Sequence, residues 1–147
     1  MTPALLAPVV VDASVSIAWV LQEKPGCLTA QALFLQGYKG QRHLLAPALW
    51  LWECGNVLHS YVKRGHLSAT DLPDVLRVFR YPRIVFDEMP DIATQVATLH
   101  VAAQWGLSYY DAAYVELAQR RKAQLATYDE KMQAVARNIG IACYDLT

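Results

Sequence analysis

The stretch VVVDASVSIAWVL, residues 9–21, decides the architecture. Val9, Val10 and Val11 follow Pro8 as an unbroken β-branched run with no polar alternation. Such a run suits a strand buried on both faces, the habit of parallel sheets. Asp12 closes the strand, and Ser14 is placed to cap a helix through Ile17, Trp19 and Leu21. The apolar span 3–21 has about the length of a membrane helix, but Pro8 and Asp12 interrupt it. It also lacks a basic leader segment, so a cytoplasmic protein with no membrane contact is expected.

Working outward, the same strand-then-helix unit recurs. Pro25-Gly26 breaks the first helix, and a second is predicted over 28–38, ended by Gly37 and Gly40. Residues 44–46 read as a short strand, with Pro47 at the first turn of a helix over 47–64. Gly65 stops that helix; Ser68 caps the next one, with Asp71 as its acidic capping partner. Further strands are predicted at 84–86, 124–127 and 141–144, and further helices at 92–104, 110–122 and 131–138. Short apolar strands alternating with helices imply one α/β domain over 1–147, with a parallel sheet of about five strands covered on both faces.

Composition narrows the function. The 147 residues are 54% hydrophobic and 18% charged, with 13 basic and 13 acidic side chains. Disorder is excluded, and so is nucleic-acid binding driven by net charge alone. Cys27, Cys54 and Cys143 are odd in number and widely spaced, which fits neither a disulfide framework nor a zinc site. Cys54 reads as a small core residue, and the four histidines match no metal-ligand spacing.

The acids are more informative. Ligands of an α/β sheet bind beyond the carboxyl ends of its strands. Asp12 follows the first strand and Asp129 the fourth; Glu53 lies in the helix after the second, and Asp111 opens a helix after residues 106–110. Asp12, Glu53 and Asp111 are flanked by apolar residues, where a lone carboxylate is costly. Asp12 and Asp111 could serve as helix-end residues, but Glu53 stands mid-helix between Trp52 and Cys54. Two such charges ~4 Å apart cost about 4 kcal/mol at an effective dielectric of ~20. A divalent cation relieves that repulsion, and an all-oxygen set suits Mg²⁺ or Mn²⁺. With no Ser-His pair evident, the simplest nucleophile is a metal-activated water.

At these residues the chain resembles the PIN-domain nucleases, especially the VapC toxins of bacterial toxin–antitoxin pairs. The resemblance rests on VVVDASVSIAWVL (9–21), APALWLWECGNVL (46–58), LSYYDAAYVELA (107–118) and LATYD (125–129), in that order. It implies a three-layer α/β/α sandwich and an Mg²⁺- or Mn²⁺-dependent endoribonuclease. Asp12, Glu53, Asp111 and Asp129 take the family's acidic positions as catalytic and metal-ligating residues. Ser14 and Thr127 match supporting hydroxyl positions, and Asn56 matches a recurrent Asn, one turn after Glu53. The implied partners are an RNA substrate, a cognate antitoxin and a second copy of the chain in a homodimer.

An RNA role asks for a basic rim, for which Arg77, Arg80 and Arg83 or Arg120, Arg121 and Lys122 are the candidates. Tyr109 and Tyr110 could stack on bases, and Trp19, Trp50 and Trp52 are either core or contact residues for a partner. The alternatives are a non-catalytic PIN-like binding module and a metal-dependent DNA nuclease. Aspartyl-phosphate proteins fit less well: the phosphatase pattern wants an Asp where Ser14 stands, and a receiver needs adjacent acids at the first strand.

Overall fold

A computed structural model describes residues 6–21 and 27–147; the expected break at Pro25-Gly26 lies outside them. Strands β1 (Val9–Val11), β2 (Leu44–Ala46), β3 (Val85–Phe86) and β4 (Gln124–Ala126) form one wholly parallel sheet in the order β3-β2-β1-β4. All residues of β1 and β2 are buried, although successive side chains point to opposite faces. Both faces of the sheet are therefore covered, as the valine run implies. The outermost strand β3 is only two residues long and exposed.

Helices α1 (Ala13–Val20), α2 (Cys27–Tyr38), α3 (Leu49–Lys63), α4 (Leu72–Val78), α5 (Ile92–Trp105), α6 (Tyr109–Arg120) and α7 (Glu130–Ile139) supply the cover. Helix α6 packs on β1 and β4 and carries α5 on its outer side, while α1 meets α2 and α3. None of the described helices is long and apolar enough to cross a membrane.

Several expectations are corrected. The strand expected at 141–144 is a single bridge, Leu125 to Cys143, so the sheet has four strands among the described residues. Beyond that bridge, Asp145 turns its carboxylate to the Thr147 N–H and hydroxyl, and the chain leaves the ladder. Ser14 lies inside α1, not at its cap; Asp12 holds that position. Pro47 precedes the α3 cap residue, Ala48. Ser68 does accept from the Thr70 N–H, but it caps a 3-10 turn, Ala69–Asp71, and Asp71 makes no side-chain cap bond to α4.

The tryptophans divide. Trp19 is buried, its indole N–H on the Ala30 carbonyl at 2.9 Å. Trp50, 3% exposed, donates to the Ser16 hydroxyl at 2.8 Å and stacks edge-on against Phe79. Trp52, two residues on, is 69% exposed. Cys54 is buried as expected, and burial pushes its thiol up, which makes it inert.

Candidate metal centre

Parallel pairing brings every strand's carboxyl end to one edge of the sheet, and helix starts collect there. Asp12 emerges from β1, its N–H on the Ala126 carbonyl of β4 at 2.9 Å. It occupies the N-cap position of α1 but makes no side-chain cap bond. Its Oδ2 instead accepts from the hydroxyls of Ser14, at 2.9 Å, and Thr127, at 2.8 Å. Thr127 also accepts the Asp129 N–H at 3.0 Å, and Ser14 that of Tyr128 at 3.3 Å. Two hydroxyls thus tie the end of β1 to the loop after β4.

Asp129 caps α7, its Oδ1 accepting the Met132 N–H at 2.9 Å. Asp111 is the third residue of α6, and its N–H is held by the cap residue Ser108. Both acids stand at helix N-termini, where the backbone dipole favours negative charge. Glu53 projects from the second turn of α3, and the Tyr114 hydroxyl of α6 donates to its Oε1 at 2.5 Å.

These four carboxylates line one open hollow of about 300 Å³ with Ala13, Ser14, Ile17, Val57, Tyr61 and Met132. Asp12 is 8% exposed. Burial raises its pKa, opposed by the Thr127 and Ser14 hydroxyls, and Asp111 raises it further. Glu53 is raised by burial, against the pull of Tyr114, and then by Asp12 and Asp111. Asp111 is raised by burial and by Asp129, with Ser108 and Lys131 acting the other way. Asp12, Glu53 and Asp111 are thus each disfavoured as anions by a neighbouring carboxylate.

That donor set fits a hard divalent cation, which would offset the cost of desolvation and relieve the mutual repulsion. Among the described residues, no group of three His, Cys, Asp or Glu side chains is drawn close enough to enclose an ion by itself. Mg²⁺ ordinarily keeps several waters and takes only one or two carboxylates directly. An open, partly hydrated site therefore suits these residues, and a closed cage does not.

Several sequence candidates lie elsewhere. Asn56 is exposed and absent from the hollow, where Val57 and Tyr61 continue the row from Glu53. None of the basic candidates, Arg121 included, lines the hollow. Arg77 pairs with Asp74; Arg80 and Arg83 line a separate hollow over Trp50 and Phe79; Arg120 is bound by Asp87 and Glu116. Lys122 lies by Gln124 and Ile139, in another shallow depression. Lys131, whose Nζ donates to the Gly106 carbonyl at 2.5 Å, acts electrostatically on Asp111. Lys131 and Tyr114 escaped the sequence reading, although Tyr114 stands one helical turn after Asp111, on the same face.

A family model described as PIN domain matches residues 9–138. PAE2754 from Pyrobaculum aerophilum is similar in structure, with a TM-score of 0.67, 23% identity, and coverage of 88% of this chain and 86% of that chain. FitAcB from Neisseria gonorrhoeae superposes with a TM-score of 0.53 at 18% identity, covering 94% of this chain and 97% of that chain. At such identities the likeness is one of fold. No curated protein matches the chain in sequence.

Proposed function

This chain belongs to the PIN domain family, and on that premise we propose that it is a metal-dependent endoribonuclease, the toxin of a toxin–antitoxin pair. PIN domains are typically metal-dependent nucleases. The observation that carries the reading is the convergence of Asp12, Glu53, Asp111 and Asp129 on one hollow, none of them in a salt bridge among the described residues. Mg²⁺ or Mn²⁺, when bound, would acidify water and neutralise charge on the scissile phosphodiester. The chain's own residues hold the donors: Ser14 and Thr127 fix Asp12, Tyr114 fixes Glu53, and the cap of α7 fixes Asp129. Lys131 supplies the positive charge beside Asp111.

The choice of RNA and the toxin role rest on the VapC-like motifs, as do a cognate antitoxin, a homodimer and a cytoplasmic setting. Trp52, Met89 and Tyr110 line a separate apolar groove and are strongly exposed, which gives such partners a surface.

The test is cleavage of structured RNA and single-stranded DNA with Mn²⁺, with Mg²⁺ and with EDTA. Metal-dependent cutting of RNA in preference to DNA supports the reading. Preferential cutting of DNA would make the protein a DNA nuclease, and failure to bind metal or cut either polymer would make it a binding module. Thermal unfolding supplies an independent check. Mn²⁺ at a hundredfold excess over its Kd should stabilise the fold by about 2.7 kcal/mol. For a chain of this size that is roughly 5–10 °C, reversed by EDTA. An unchanged Tm at millimolar metal would remove the metal site.

A further inference from the structure

Tyr114 presents a buried hydroxyl whose role the family motifs do not assign. Its ring is fully buried in α6, among the largest enclosed side chains of the domain. Its hydroxyl leaves that apolar setting for one partner, Glu53 Oε1 on α3, at 2.5 Å. The contact spans 61 residues of sequence. A carboxylate oxygen accepts, so in this contact the phenol hydroxyl is the donor.

The geometry of Glu53 gives this contact its purpose. Glu53 is half-buried, carries a long flexible side chain, and feels the charges of Asp12 and Asp111. Left alone, it would swing toward solvent, away from those charges. We infer that Tyr114 is a positioning residue that holds Glu53 in the hollow through Oε1 and leaves Oε2 as the oxygen offered to a cation. Helix α6 then sets two acids at once. Asp111 projects from it directly, and Glu53 is fixed by a hydroxyl one turn further on, the arrangement by which second-layer donors orient metal ligands. The phenol takes up no covalent part in any step. This inference rests on the metal-nuclease reading above.

The test is calorimetric titration of Mn²⁺ into the RNA-free full chain, comparing wild type, Tyr114→Phe, Glu53→Gln and the double variant. Tyr114→Phe deletes one oxygen and keeps the ring. It should weaken Mn²⁺ binding by about 10- to 100-fold, the usual effect of losing a ligand's supporting donor. Its metal-free circular dichroism should match wild type. In the Glu53→Gln background the same substitution should add little, because the carboxylate it serves is gone. A merely structural tyrosine would produce the same loss in both backgrounds, and that result would overturn the assignment. So would wild-type affinity in Tyr114→Phe.

Should Tyr114→Phe fail to fold, the wild-type tyrosine ultraviolet difference spectrum on Mn²⁺ addition replaces it. A perturbation that disappears in Glu53→Gln supports the contact; no perturbation, or one that persists in Glu53→Gln, overturns it. If wild type itself binds no Mn²⁺, the nuclease reading falls and this inference falls with it. Tight wild-type binding with an unaffected Tyr114→Phe removes this inference alone.

Discussion

Asp12→Asn should abolish cleavage while leaving the metal-free fold equally or more stable. Asp12 is the most enclosed of the four acids, and its Oδ2 already accepts two hydroxyls. Asn keeps an oxygen to accept both, so the tie between β1 and the loop after β4 survives. What is lost is the negative charge that would hold the cation. Losing one electrostatic contact to a transition state lowers turnover by about 10²–10³-fold, and loss of the cation would lower it further. Cleavage of the preferred polymer at saturating Mn²⁺, beside a melting curve in EDTA, checks both halves. A collapse of the metal-free Tm would make Asp12 a structural acid.

The pH dependence follows with a definite sign. The Asp12 carboxyl has a folded pKa raised above its ordinary 3.8, so the folded chain binds its proton more tightly than the unfolded chain does. The metal-free wild type should therefore lose stability as pH rises from about that value through the raised folded pKa, and then level off. Glu53 and Asp111 are shifted in the same direction and should add to the decline. Asp12→Asn removes its share, so the gap between variant and wild type should widen over that window and persist at neutral pH. With metal present the trend opposes this one, because protons compete with the cation for the same oxygens.

Trp50→Ala should be the costliest core substitution, and Trp52→Ala beside it nearly silent. Trp50 fills the space between α3 and the sheet edge, against Phe79 and Phe86, and satisfies the buried Ser16 hydroxyl. Truncation leaves a cavity and removes the Ser16 partner, at about 3–5 kcal/mol. At roughly 2–4 °C per kcal/mol, Tm should fall by about 6–20 °C. Trp52 projects into solvent, and its loss should stay within about 0.5 kcal/mol. Thermal or urea unfolding of the two variants in parallel decides the matter; equal losses would contradict the packing described.

Residue by residue, the sequence settled whatever depends on local pattern. The Val9–Val11 run can only be accommodated between two layers, so the parallel sheet and its helical cover were legible. The position of the acids followed too, because a parallel sheet collects its strand ends on one edge. Asp12 and Asp129 could be placed there from their strands alone. Local pattern also set its own limits. At 141–144 an apolar run looks like a strand, but a ladder needs a partner in register over several residues, and only Leu125 meets Cys143.

Other features were decided by three-dimensional packing. Trp50 and Trp52 are two residues apart, about 200° around a helix, and only the placement of α3 against the sheet says which is buried. Asn56 and Val57 both lie about a turn from Glu53, and the tilt of α3 gives the hollow to Val57. Arg120 reads as a basic rim residue until Asp87 and Glu116 are seen to hold it. The Tyr114–Glu53 contact joins two helices that no sequence spacing relates. A one-dimensional pattern records which residues prefer burial and which local turn they favour. Which polar groups meet across elements depends on helix rotation and tilt, and those are fixed by the packing of the whole domain.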